Sequence, residues 1–197
     1  MNRAVHSCIS AFGQIHESLS FLYHELGQLA LTTNDHGRAI IFFEAGLDVE
    51  RKLEGPDKEN RIAVSLALLG DASILIGKRS TALTYYREAL DMIYTSKGPC
   101  EEGANMLTNI ANIHEQEQEY ALAEEDLEEA LRILTYSSGR CTLLVAFNLN
   151  TLGLVQSKQR KYIMASESFL ESWKIRSLQC CWYLRETLQF QGSTAFL

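Results

Sequence analysis

Residues 26–47 read Leu26-Gly27-Gln28-Leu29-Ala30-Leu31-Thr32-Thr33-Asn34-Asp35-His36-Gly37-Arg38-Ala39-Ile40-Ile41-Phe42-Phe43-Glu44-Ala45-Gly46-Leu47. Within this stretch the spacing Leu26-Gly27, Ala39, Phe43, Gly46-Leu47 returns three more times. It recurs as Leu69-Gly70, Ala82, Tyr86, Ala89-Leu90, then as Ile110-Ala111, Ala123, Leu127, Ala130-Leu131, and finally as Leu152-Gly153, Ala165, Phe169, Ser172-Trp173. The steps from Ala39 to Ala82, Ala123 and Ala165 are 43, 41 and 42 residues. A period of this size marks a repeat architecture rather than a single-core domain.

The chain breakers keep the same phase. Gly55-Pro56 and Gly98-Pro99 lie 43 residues apart, and Gly139 follows Gly98 by 41. Proline cannot continue a helix and disfavours helix in the residue before it, so these positions end one unit and begin the next. Between them apolar residues recur at helical spacing, as in Ile62, Leu66, Leu69, Ser73 and Ile76, with no sustained strand-like alternation. The pattern predicts helix pairs at roughly 15–33 with 36–53, 60–77 with 79–96, 102–117 with 120–136, and 141–158 with 161–178. Gly27, Gly70, Ala111 and Gly153 are expected where a second helix approaches closely, facing Ala39, Ala82, Ala123 and Ala165. The large residues Phe43, Tyr86, Leu127 and Phe169 are expected to fill the seam to the next hairpin, because no hairpin can bury its apolar face alone.

This pattern resembles the tetratricopeptide repeat over roughly residues 20–178. The usual unit is shorter, and the added length, with the linker Leu53-Glu54-Gly55-Pro56-Asp57, is similar to the long repeats of kinesin light chains. Departures from the pattern are Gly46 and Ser172 in place of the common alanine, and a third linker, Tyr136-Ser137-Ser138-Gly139, without proline. The resemblance implies an all-α fold: a right-handed superhelical stack of antiparallel helix hairpins, with about four repeats in one array over 1–197. Repeats are expected at about 15–56, 57–99, 100–139 and 140–180. Residues 1–14 would be the end of a preceding hairpin, since Ala4-Val5 is in phase with Ala89-Leu90. Residues 181–197 would be an apolar tail or the start of a further helix.

The resemblance also implies that first helices line a concave groove that holds a partner. The positions it assigns there include His24, Gln28, Val64, Leu68, Asp71, Asn105, Asn109, Asn112, Phe147, Asn150 and Leu154, with Glu115, Gln116 and Lys158 one turn further on. Phe21, Glu25, Ala67, Thr108 and Thr151 belong to the same faces. Asn105, Asn109 and Asn112 fall at i, i+4 and i+7, on one helical stripe. Helix propensity does not favour asparagine there, and an amide offers both donor and acceptor to a peptide backbone.

Composition narrows the function. Hydrophobic residues make up 46% and charged residues 22%, as in folded soluble chains. The net charge of −7 argues against sequence-independent nucleic-acid binding, which requires Lys and Arg on phosphates. Residues 101–132 concentrate ten acids against Arg132 alone, and the run from Glu115 to Glu129 is expected to be a solvated outer face that includes Glu124. No apolar run reaches the roughly 18 residues needed to span a bilayer, and the N-terminus lacks a secretory core. The five cysteines include no C-x-x-C pair and suit reduced thiols in a cytoplasmic protein. His16-Glu17 and His24-Glu25 open like a metalloprotease helix, but no second histidine follows at the required spacing. No phosphate-cradling glycine loop occurs. The sequence therefore points to a non-catalytic interaction scaffold, with no cofactor and no metal, that binds a protein or peptide. The alternative is a structural or self-associating segment of a larger regulatory protein, attached to a nucleotide switch, whose uncapped ends (Trp182, Tyr183, Leu184, Leu188, Phe190, Phe196 and Leu197 at one of them) pack together.

Overall fold

The computed structural model describes residues 2–13 and 15–193, with side chains excluded at positions 2, 12 and 179–193. Among the described residues the regular structure is entirely helical. The elements are α1 (Asn2–Phe12), α2 (Glu17–Thr32), α3 (His36–Lys52), α4 (Lys58–Leu75), α5 (Arg79–Lys97), α6 (Glu101–Gln116), α7 (Tyr120–Ser138), α8 (Leu143–Lys158) and α9 (Tyr162–Ser193). Helix boundaries fall within a few residues of those expected from the breakers, except that α9 runs on into the expected tail as far as Ser193. The apolar tail side chains themselves lie outside the described residues.

The turn inside each hairpin repeats with the sequence. Asn34, Gly77, Gln118 and Arg160 all adopt positive φ, at 61°, 76°, 65° and 61°. Each is followed by a backbone N–H that reaches back to the preceding helix: Asp35 N to Ala30 O, Lys78 N to Ser73 O, Glu119 N to His114 O and Lys161 N to Gln156 O, all between 2.8 and 2.9 Å. This left-handed closure satisfies carbonyls at the end of the first helix and turns the chain into the second. Glycine meets the requirement at one of the four positions, and the other three accept the strain of a side chain in that region. Gly98 and Gly139, between units, also have positive φ, at 73° and 83°.

The chain forms two compact units, residues 1–113 and 114–197. In the first, α2 packs on α3, α3 on α4 and α4 on α5, with α1 against α2. Its core joins Ala39, Phe42, Phe43, Leu47, Ile62, Leu66, Leu69, Ala89 and Ile93, and a second cluster sets Ala82 and Tyr86 against Ile110 and Ile113 of α6. In the second unit α8 packs on both α7 and α9. There His114, in the last turn of α6, holds Asp126 of α7 through an Nδ1···Oδ2 contact of 2.8 Å.

The small residues make the close approaches, though not as expected. A Cβ at Gly27 would lie 2.3 Å from Phe43 Cε1, one at Gly70 2.5 Å from Tyr86 Cε1, and one at Gly153 2.8 Å from Phe169 Cε1. The glycine of the first helix thus meets the aromatic residue of its own hairpin rather than the facing alanine. The same aromatics also pack on the first helix of the next hairpin as expected, Phe43 clustering with Ile62, Leu66 and Leu69 and Tyr86 with Ile110 and Ile113. A ring is too thick to fit beside a side chain at that separation, so the glycine and the aromatic must occur together. Fully burying each such ring contributes about 1.5–3 kcal/mol.

The acidic run also differs from expectation. Glu124 is not on a solvated face; it is buried in the second unit, 7% exposed. Its carboxylate accepts from Gln159 Nε2 at 2.8 Å, from Gln156 Nε2 at 3.4 Å and from Lys161 Nζ. Gln156 in turn accepts from Ser168 at 2.9 Å. Burial works against the charge on Glu124, but Lys161, Gln159 and Gln156 outweigh it and hold the carboxyl below its ordinary range. Partners on α8 and in the turn that follows it draw this one glutamate inward, and no pattern within α7 reveals them.

Candidate functional site

A cavity of about 720 Å³ opens in the first unit on the faces of α2 and α4. Its lining comes from Glu17, Ser18, Ser20, Phe21 and His24 of α2, Glu50 of α3, Asp57 of the linker, and Asn60, Arg61 and Val64 of α4. The His16 ring caps α2 by accepting from Ser18 N at 3.1 Å, which fixes the turn that carries Glu17 to the cavity. At the other side the linker glycine Gly55 and Asp57 lead into α4, which begins at Lys58. Phe21 and Val64 stand 66% and 48% exposed on this surface.

The floor is polar and buried. Ser20 Oγ donates to Glu50 Oε1 at 2.6 Å, and Ser65 Oγ donates to Glu50 Oε2. His24 Nε2 lies 2.7 Å from Ser65 Oγ and 3.6 Å from Glu50 Oε1. Since the single Ser65 proton goes to Glu50, the serine oxygen accepts from His24, which places the imidazole proton on Nε2. Burial lowers the His24 pKa, and the charges of Glu50 and Glu25 only partly oppose it. Serine and acid share one ring nitrogen here, and Ser65 is fully buried. Nucleophilic catalysis needs the acid on the other nitrogen and the hydroxyl facing substrate, so this network holds and polarises rather than attacks.

The repeat shows how unusual this floor is. Counting by the period, Glu50 occupies the place of Ile93 and Leu134, both buried, and Ser20 that of Ala63, Ala104 and Ala146. Gly46, where later units have Ala89 and Ala130, admits the histidine: a Cβ there would lie 3.1 Å from His24 Cδ2. The sequence reading noted Gly46 but overlooked Glu50, Ser20, Ser65, Asp57 and Arg61. The signal was available, as an acid in phase with apolar residues of the next two repeats and a serine in phase with alanines of the other three.

Arg61 is three-quarters buried. Its Nη1 lies 3.3 Å from Glu17 Oε1, and its Nε and Nη2 are enclosed without a hydrogen-bond partner among the described residues.

Of the positions expected to meet a partner, the structure brings Phe21, His24 and Val64 to the cavity. Gln28 is exposed on α2, and Leu68 is half-buried against the core. Asp71 accepts from the Tyr86 hydroxyl at 2.6 Å, and desolvation, then this bond, push Tyr86 well above its ordinary pKa. Asn105, Asn109 and Asn112 are half-buried on one face of α6, and their amides have no hydrogen-bond partner among the described residues. Thr108 on the same helix is buried, its hydroxyl on Ala104 O at 2.9 Å. In the second unit Phe147 and Leu154 are exposed on α8, Asn150 is half-buried, and Gln116 is exposed at the end of α6. Glu115 and Lys158 are paired with each other.

Among the described residues no group of three potential ligands is placed to hold a metal ion, and no helix is long and apolar enough to cross a membrane.

The family model of the tetratricopeptide repeat matches residues 22–53 and 104–133, the α2–α3 and α6–α7 stretches. No curated protein sequence matches the chain. Solved structures do. BtubC (BKLC) from P. vanneervenii is 20% identical with a TM-score of 0.77, covering 89% of this chain and 69% of that one. The apo form of RapI is 17% identical with a TM-score of 0.78, covering 99% and 69%. A Podosopora anserina putative kinesin light chain with nearly identical TPR-like repeats is 14% identical with a TM-score of 0.75, covering 90% and 84%. At these identities the likeness concerns the fold, which is all-α and of the tetratricopeptide-like solenoid class. The family match on two of its stretches, the period of 41–43 residues throughout and the likeness to these structures together give the chain a tetratricopeptide-like solenoid fold of about four long repeats.

Proposed function

We propose that the chain is a protein-interaction scaffold whose first-helix face grips an extended peptide. Tetratricopeptide folds typically serve interaction rather than catalysis. The observation that carries the finer reading is the row of Asn105, Asn109 and Asn112, half-buried amides with no internal hydrogen bond among the described residues. An amide so placed costs little in the free protein and can meet both the N–H and the C=O of a main chain. Phe21 and Val64 add exposed apolar surface to the same unit, and Phe147, Asn150 and Leu154 are proposed for the same role on α8. A cytoplasmic adaptor is the setting this implies, consistent with Cys8, Cys100 and Cys141 lying outside any disulfide.

The test is to select binders from a displayed library of random dodecapeptides, then titrate them against wild type and Asn109→Ala/Asn112→Ala. Each peptide group left desolvated and unpaired costs about 1–3 kcal/mol, and each 1.4 kcal/mol is about tenfold in affinity. Circular dichroism should show the double variant still helical. Failure to select any binder, or unchanged affinity in a folded double variant, overturns the reading.

A second reading, self-association, is favoured by the exposed Ile163, Leu170, Trp173 and Leu178 of α9. Sedimentation of wild type beside Leu170→Glu/Trp173→Glu tests it, and a monomeric wild type sinks it.

A further inference from the structure

The cavity between α2 and α4 has a chemical character that the peptide reading alone does not specify. Its lining sets three carboxylates, Glu17, Glu50 and Asp57, against one guanidinium, Arg61. That guanidinium is already engaged by Glu17 at 3.3 Å. Glu50 is 2% exposed, and the basic group within ion-pair range of it among the described residues is His24, at 3.6 Å. Burial keeps that ring predominantly neutral, so Glu50 rests on two serine hydroxyls and a neutral imidazole. A buried charge without a counter-ion is costly, and the same place in the next two repeats is filled by the buried Ile93 and Leu134, with the exposed Arg176 in the fourth. The fold therefore does not need an acid at position 50.

Two further observations point to an occupant. Arg61 Nε and Nη2 are enclosed donors with no acceptor among the described residues, in the wall of the same cavity. Donors left in that state cost about 1–3 kcal/mol each, so an acceptor delivered from outside is favoured. The rings and methyls at the mouth, Phe21 and Val64, are exposed where a long aliphatic stem could lie.

We infer that the cavity takes a basic residue, lysine or arginine, of the bound peptide: its cationic head among Glu17, Glu50 and Asp57, its stem along Phe21 and Val64, and a main-chain carbonyl on Arg61. The carbonyl is the fitting acceptor because a ligand carboxylate would face Glu17 and Asp57. Phe21 also offers an aromatic face to the cation. This inference rests on the peptide-binding reading and names the side chain that the first unit selects.

The same dodecapeptide library separates the two. Sequencing the binders should show lysine or arginine enriched at one position, and synthetic peptides with that residue changed to norleucine should bind at least tenfold more weakly. Binders without a basic residue, or with an acid at the shared position, overturn the inference while leaving peptide binding intact. An empty selection instead removes the peptide reading itself. Two variants then locate the residue. Asp57→Asn removes one exposed charge, and Asp57 makes no side-chain cap bond to α4, so the fold should be untouched. It should weaken the basic peptide roughly threefold and flatten its salt dependence. Glu50→Ile, which installs the residue found at Ile93 of the next repeat, should weaken it roughly tenfold or more while leaving the norleucine peptide unchanged. Equal loss for both peptides, or no loss in either variant, refutes the assignment; if Glu50→Ile does not fold, Asp57→Asn alone decides.

Discussion

Gly70→Ala tests the seam on which each hairpin closes. The glycine is buried in α4, and an added Cβ would lie 2.5 Å from Tyr86 Cε1 and 2.8 Å from its Cδ1 and Cζ. Two effects compete. Alanine is favoured over glycine in a helix interior by about 1 kcal/mol. Against it, overfilling a packed contact costs about 1–3 kcal/mol. The Tyr86 ring cannot move aside freely, since it is 2% exposed and its hydroxyl is held on Asp71 at 2.6 Å. Losing that bond to a charged acceptor adds about 1.5–3 kcal/mol, in full only if the ring is expelled. The steric and hydrogen-bond costs exceed the propensity gain, so the expected result is a net destabilisation of about 1–3 kcal/mol. Urea titration followed by circular dichroism reads this as a lower midpoint at unchanged slope. Placing Gly70→Ala in a Tyr86→Leu background should abolish the penalty, giving a coupling of at least about 1 kcal/mol in the double-mutant cycle. Gly37→Ala is the control: its Cβ would meet nothing nearer than Asp35 Oδ1 at 4.0 Å, and the change should be neutral or stabilising. If Gly70→Ala stabilises with Tyr86 in place, the ring-on-glycine account of the hairpin is wrong.

Two other outcomes follow from buried polar groups. Glu124→Leu should cost about 1–3 kcal/mol in the same titration, because it strands the amides of Gln156 and Gln159 and returns Lys161 to water; no change would mean that the network contributes nothing. The His24 pKa is depressed from 6.5, so its contribution to stability is fully present above about pH 6.5 and is lost as the pH falls through the lower folded-state value. Wild type should therefore lose more stability than His24→Ala between pH 7 and pH 5, and parallel curves would count against a neutral buried ring.

Much of this protein was legible before any coordinates. The in-phase copies of Leu-Gly, Ala and Phe or Tyr fixed the number and order of the hairpins, and the breakers placed the helix ends closely. That information is local: helix periodicity, proline and glycine act within a few residues, and repetition multiplies a weak signal fourfold. The pairing of Gly27 with Phe43, or Gly70 with Tyr86, was visible as a correlation of small and large, although the glycines were expected to face the alanines Ala39 and Ala82.

What the sequence left open depends on contacts between elements. Which aromatic lies on which glycine follows from the closeness of two helices within a hairpin, and the spacing along the chain fits either seam equally well. The burial of Glu124 is decided by Gln156, Gln159 and Lys161, more than thirty residues away. The cavity floor is assembled from Ser20 and His24 of α2, Glu50 of α3 and Ser65 of α4. Along the chain these are unremarkable polar residues at helical positions. They become a site because stacking α2 and α4 over the end of α3 removes water from all four at once, and a desolvated carboxylate must then take its hydrogen bonds from whatever the neighbouring helices present.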